Sequence, residues 1–292
     1  MNKLRKILKG SYLSLLFFFL YIPIIYLIVY SFNDFTTGSG RVVYSNLGRW
    51  RGFTTANYAA LLRGDAFDSI LITLEIAIIS SIVATLIGTA AAIGIQSMKR
   101  RSRTLVLNVS QLPMVNPDLV TGITFMMLFA FVNSLLVRMN MAKIDDMLRL
   151  LIAHISFSIP YVIFSVLPRM KQSSDMLYEA ALDLGCTPIQ ALWKAVIPDI
   201  FPGITSGFIM AFTMSLDDFV VSYFAGTGEH STLSVYIYSA ATKGSHGVNP
   251  ALATIIFIPL VALLLAVNLR NIRKERNYEI QNKKVKMKNG GK

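Results

Sequence analysis

Cysteine is almost absent from this chain. One residue of 292, Cys186, carries a thiol, so no intramolecular disulfide forms and the fold does not depend on oxidation. Charge is scarce as well: 15% of residues are Asp, Glu, Lys or Arg, against about 25% in an ordinary soluble domain. With 54% hydrophobic residues and a mean hydropathy of +0.55, that shortage argues against a soluble enzyme and against a disordered chain. Catalytic signatures are missing too. No GxxxxGK[ST] phosphate loop occurs, so the chain does not bind ATP through a P-loop. Neither HExxH nor GxSxG occurs, and His154, His230 and His246 are too dispersed to suggest a metal site. No internal repeat divides the chain into similar halves, which counts against a secondary transporter built on inverted repeats.

What the chain does have is long apolar runs. A helix rises about 1.5 Å per residue, so about 20 apolar residues cross ~30 Å of hydrocarbon. Such runs cover 10–33, 76–98, 105–137 (broken only by Asp118), 150–168, 200–216 and 247–269. They predict an all-α membrane protein with six transmembrane helices. The first run is too long for a signal-peptide core and lacks a small-x-small cleavage site, so it is read as a retained helix. Pro23, Pro160, Pro113 and Asn116-Pro117-Asp118 interrupt three of the runs. Inside lipid, broken backbone survives where protein or a water-filled cavity satisfies the freed groups. Small residues recur every fourth position at Ala84, Gly88, Ala92 and at Gly203, Gly207, Ala211, Ser215, which lets helices approach closely. The second stripe runs into Asp217-Asp218, so it is expected to face something functional as well.

Net charge is +12, from 28 Lys+Arg against 16 Asp+Glu. The basic residues lie between apolar runs rather than on one folded face, which points to a bilayer and not to nucleic acid. Twenty of the 28 fall before the first run, at 99–103, within 169–199 and from Arg270 onward; eight fall in the alternate connections. The positive-inside rule then places both termini in the cytoplasm of a multi-pass cell-membrane protein. The expected organisation is a tail at 1–11, a membrane domain at 12–270 with its core from about 69, and a basic tail at 271–292.

The 169–199 segment is long for a connection and reads as helix, break, helix. Gly185 stands where a helix end favours positive φ, and Thr187-Pro188 offers an N-cap followed by proline at the first helical position. The second helical piece is expected to stop at Pro198. Glu179-Ala180-Ala181, three residues on, meets Gly185, and nine residues later comes Ala195-Val196-Ile197-Pro198. This resembles the EAA loop of binding-protein-dependent ABC importer permeases, with Ala and Ile at the usual Ile and Leu positions. Tyr21-Ile22-Pro23-Ile24-Ile25, Ser31-Phe32-Asn33, Pro117-Asp118 and the segment from Ser215 to Ser222 resemble, more narrowly, permeases of spermidine/putrescine importers. The likeness runs from about residue 21 to 270.

The resemblance implies a type I ABC importer permease fold and a non-catalytic transport subunit without a cofactor. It implies a second permease chain in a heterodimer, two ATP-binding ATPase subunits, and an extracytoplasmic solute-binding protein. Glu179, Ala180, Ala181, Gly185 and Pro198 would form the loop that couples to the ATPase. A polyamine conduit needs carboxylates to replace lost water and aromatic or apolar walls for the methylenes. Acids within a span are costly and usually face a cavity. Asp118, Asp217 and Asp218, with Phe219 and Tyr223, are therefore the candidate substrate pathway; helix capping or packing is the alternative for the three acids. Glu75 is read as structural, and His154 as a hydrogen-bonded packing residue. A permease of the same family for another solute stays open, as does an ion-coupled transporter, against which the EAA loop argues. An intramembrane enzyme lacks any recognisable nucleophile–base or metal constellation.

Overall fold

The computed structural model describes residues 2–34, 50–61, 65–172, 175–242, 250–255 and 257–258. Helices dominate: α1 (Asn2–Tyr30), α2 (Ala56–Leu61), α3 (Asp65–Gln96), α4 (Arg100–Val115), α5 (Asp118–Arg138), α6 (Asp146–Gln172), α7 (Asp175–Asp183), α8 (Pro188–Ala191), α9 (Ile197–Asp217), α10 (Val220–Ala225) and α11 (Leu233–Thr242). Among the described residues, five helical stretches are long and apolar enough to cross a membrane: Ser11–Tyr30, Asp65–Gln96, Asp118–Arg138, Asp146–Gln172 and Pro188–Asp217. The sixth expected span, 247–269, lies largely outside the described residues. The chain divides into two compact units, Met1–Gly64 with Ala240–Lys292, and Asp65–Ser239.

In the first unit, helical backbone begins at Asn2, well ahead of the apolar run. After α1 the chain makes an isolated bridge between Asn33 and Phe53. The Asn57 amide donates to the carbonyls of Ser31 and Asn33 at 2.8 and 2.9 Å, which ties the start of α2 to the end of α1.

The second unit is built on α3, α6 and α9, whose facing side chains form one core: Ala84, Ala92 and Ile95 against Val162, Ile163, Val166, Ile200 and Ala211. The small-residue stripes explain why the three axes lie so close. A Cβ on Gly88 would stand 2.7 Å from Val162 Cβ, and one on Gly207 would stand 3.1 Å from Val162 Cγ1. Both stripes therefore converge on one residue of α6. A smaller cluster joins α5, α6 and α10 through Phe129, Ala153, Val221 and Ala225.

The 105–137 run breaks where Asn116-Pro117-Asp118 leads one to expect, at Asn116, whose φ of −70° and ψ of 136° are extended. Proline disfavours helical backbone at the residue before it, so Pro117 ends α4 and α5 starts afresh at Asp118. Pro23, Pro113 and Pro160, also read as interruptions, instead sit inside α1, α4 and α6, which continue through them. A further expectation needs correction: the 188–197 piece does not stop at Pro198. It passes through a π-helical turn, Leu192–Val196, where the Ile197 N–H reaches the Leu192 carbonyl, and continues as α9. A proline ring presses on the carbonyl four residues back; here that is Lys194, inside the widened turn, and the helix continues through Pro198.

Candidate functional site

The break before α5 and the break after α9 come together in space. Asp118 is the first residue of α5, Asp217 the last of α9, and Asp218 the residue after it. All three line a cavity of about 280 Å³, with Phe219, Thr121, Thr213 and the α6 side chains Phe157 and Tyr161. Gly122 makes the meeting possible: a Cβ there would be 3.1 Å from both Phe224 Cδ2 and the Val220 carbonyl, so α10 rests directly on α5. Among the described residues, the carboxylates of Asp118 and Asp217 have no hydrogen-bond or ion-pair partner. Like Asp118 and Asp217, Glu75 is exposed, but it stands on α3 and does not line this cavity.

Asp218 is differently placed. Its carboxylate accepts from the backbone N–H groups of Val221 at 3.2 Å and Ser222 at 2.7 Å and from the Ser222 hydroxyl at 2.8 Å. It thus caps α10 while one side faces the cavity. Phe219 lines the cavity and Tyr223 does not; their rings lie tilted at 5.6 Å between centroids, and Tyr238 of α11 packs on both, at 4.9 Å from Phe219 and 5.6 Å from Tyr223. Tyr238 carried no sequence signal, since it sits in an unremarked aromatic-containing helix with no acid beside it. Behind the cavity wall, His154 is fully buried and bonded through both ring nitrogens, as expected for a hydrogen-bonded packing residue. Farther along, the buried Asp146 carboxylate accepts from the backbone N–H groups of Thr227 and His230, pinning the turn after α10.

The EAA-like segment forms a separate feature at the opposite end of α9. α7 closes on Gly185, at φ +86°, with Gly185 N–H donating to Leu182 O at 2.9 Å and Cys186 N–H to Ala181 O at 3.0 Å. That pair of bonds is a Schellman closure. Thr187 then caps α8 in a reciprocal box with Gln190, and Pro188 takes the first turn. Glu179 and Ala180 are exposed, and Ala181 is half-buried. Glu179 lines a cavity of about 820 Å³ with Arg103, Gln96, Tyr178 and Pro188. Leu184, Ile189 and Trp193 of the same segment stand 87%, 71% and 65% exposed, and Ile189 lines this cavity.

Residues 84–274 match the family of binding-protein-dependent transport system inner membrane components. The spermidine/putrescine transport system permease protein PotC of Escherichia coli (strain K12) is 32% identical over 265 residues, 90% of this chain and 94% of its own length. The putrescine transport system permease protein PotI of the same strain is 32% identical over 269 residues, 91% and 92% of the two chains. A chain of a bacterial ABC transporter involved in the import of the acidic polysaccharide alginate shares the fold, with a TM-score of 0.62 at 18% identity, covering 94% of this chain and 99% of that one.

Proposed function

Because the chain belongs to the family of binding-protein-dependent transport system inner membrane components, we propose that it is the polyamine-conducting permease subunit of an ATP-driven importer. It carries spermidine or putrescine inward by alternating access, beside a second permease chain, with two ATPase subunits on the cytoplasmic face and a solute-binding protein outside. Both termini lie in the cytoplasm, where 20 of the 28 Lys+Arg then fall. ATP is hydrolysed on the partner; this chain transmits the work through Glu179, Ala180, Ala181 and Gly185, and through Pro198, where α8 continues into α9.

The observation that carries the substrate assignment is the meeting of Asp118 and Asp217, two acids without partners, in one cavity bordered by aromatic rings. An anion held in a membrane-embedded cavity without a counter-charge is costly, and a passing ammonium supplies the counter-charge. Phe219, which lines the cavity, offers its face to the same cation, worth about 0.5–2 kcal/mol, and Tyr223 packs against Phe219 from outside the lining. Two separated acids hold a flexible dication at both ends, while the cost of stripping its water keeps the binding weak enough for release. The names of the relatives point to the same substrate class. The test is uptake of labelled spermidine and putrescine by cells lacking this chain and by the same cells with it restored. Restored polyamine uptake is the expected result; unchanged polyamine uptake, with another solute restored instead, overturns the substrate assignment.

A further inference from the structure

His154 is 0% exposed and lines no part of the cavity, yet it is wired to the cavity wall. Its Nε2 is 3.0 Å from Ser222 Oγ, and the Ser222 hydroxyl donates to Asp218 Oδ2 at 2.8 Å. On the other side, Nδ1 is 2.7 Å from Ser215 Oγ, which is 3.0 Å from Ser80 Oγ. The direction of this chain follows from proton counting. An ionised carboxylate only accepts, and a serine has one proton to give. Ser222 gives its proton to Asp218 and turns a lone pair to the ring, so Nε2 must carry a hydrogen. In the neutral ring Nδ1 then accepts from Ser215, and Ser215 accepts from Ser80, whose one proton goes to the 3.0 Å contact with Ser215 in place of its 3.4 Å contact with the Ala77 carbonyl. Donors from α3, α9, α6 and α10 therefore align head to tail on one carboxylate, and such aligned bonds polarise one another in a low-dielectric interior. An apolar side chain would fill the same space; the buried ring nitrogens are tolerable because each has a partner.

We propose that His154 is a positioning residue for transport: through Ser222 it fixes the Asp218 carboxylate as a preorganised anion at the wall of the cavity that Asp118 and Asp217 also line. This rests on that cavity being the translocation path. The imidazole never touches the substrate; it decides where the third negative charge points.

The test is a double-variant cycle on the complete transporter in vesicles, with its binding protein and ATP, reading labelled putrescine uptake at matched assembly. His154→Leu should slow uptake about tenfold, the size of losing one hydrogen bond linked to a charge. His154→Gln, whose amide donates to Ser222 and accepts from Ser215, should keep most of the rate. Combined with Asp218→Asn, His154→Leu should add no further loss, because the carboxylate it positions is gone. A purely structural role for His154 gives multiplied losses and no rescue by Gln, and either result overturns the proposal, as does an unslowed His154→Leu transporter. Should His154→Leu fail to assemble, Ser222→Ala takes its place in the cycle with the same expected and opposing outcomes. If the wild-type transporter imports a different solute, the polyamine assignment falls, and the same cycle run on that solute still decides the role of His154.

Discussion

Gly185 offers a substitution series in which backbone and side-chain effects separate. The residue closes α7 at φ +86°, and an added Cβ would meet nothing within 4 Å. Any harm from a side chain must therefore come through the turn itself. Holding an L-residue in left-handed backbone costs roughly 1–2 kcal/mol. Asn tolerates that region best after Gly, and a β-branched residue least. Gly185→Ala should disfavour the closed turn by about 1–2 kcal/mol, a factor of roughly 5–30 in its population; Gly185→Asn should cost less and Gly185→Val more. The assay is binding-protein-stimulated ATPase in proteoliposomes, at assembly levels equalised by copurification. The expected order of stimulation is Gly, Asn, Ala, Val, with Gly185→Val abolishing both stimulation and uptake while the spans still insert. Normal stimulation in Gly185→Val would refute the docking role of this turn. Equal damage by Asn, Ala and Val would refute the conformational cause.

Two further outcomes follow from the packing and one from the distribution of Lys and Arg. Gly88→Ala should destabilise the transporter by about 1–3 kcal/mol, because the new Cβ falls 2.7 Å from Val162 Cβ and 3.2 Å from the Ile159 carbonyl, while Gly94→Ala, with nothing within 4 Å, should be neutral or slightly stabilising; thermal unfolding of the two variants compares them directly. Asp146→Ala leaves the Thr227 and His230 N–H groups without their acceptor, at about 1–3 kcal/mol, and should speed amide exchange at 226–232 with α3 and α9 unchanged. A reporter fused after Lys292 should be active only if it is a cytoplasmic type; an external reporter working there overturns the orientation.

Among the described residues, helix existence was legible wherever apolar runs were long, since lipid thickness sets their length and charge marks their ends. At prolines the boundary was legible at Pro117 and not at Pro198. Pro117 and Pro198 look alike in sequence, yet the first ends a helix and the second sits in one that continues, because a π turn widens the backbone around Lys194. The stripes Ala84-Gly88-Ala92 and Gly203-Gly207-Ala211 announced close packing, but not that Val162 is their common partner. At the candidate site the acids were readable one by one as charges in apolar surroundings. Their meeting was not, because it depends on Gly122 admitting α10 against α5. For Asp218 the sequence offered a cavity role and a cap as alternatives; the same carboxylate borders the cavity and accepts from the Val221 and Ser222 N–H groups, so the two go together.

The most direct test of the polyamine assignment is putrescine and spermidine uptake by fully assembled transporters carrying Asp118→Asn or Asp217→Asn. Each change removes one charge and keeps the shape. Two unit charges 4 Å apart attract by roughly 4 kcal/mol at an effective dielectric of 20, much of it offset by desolvation. A remainder of about 1–2 kcal/mol per acid is a loss of roughly 5–30-fold. The expected result is that each variant cuts uptake strongly while binding-protein docking and assembly, measured by pull-down, stay intact; undiminished uptake in both variants would contradict a cation path through this cavity.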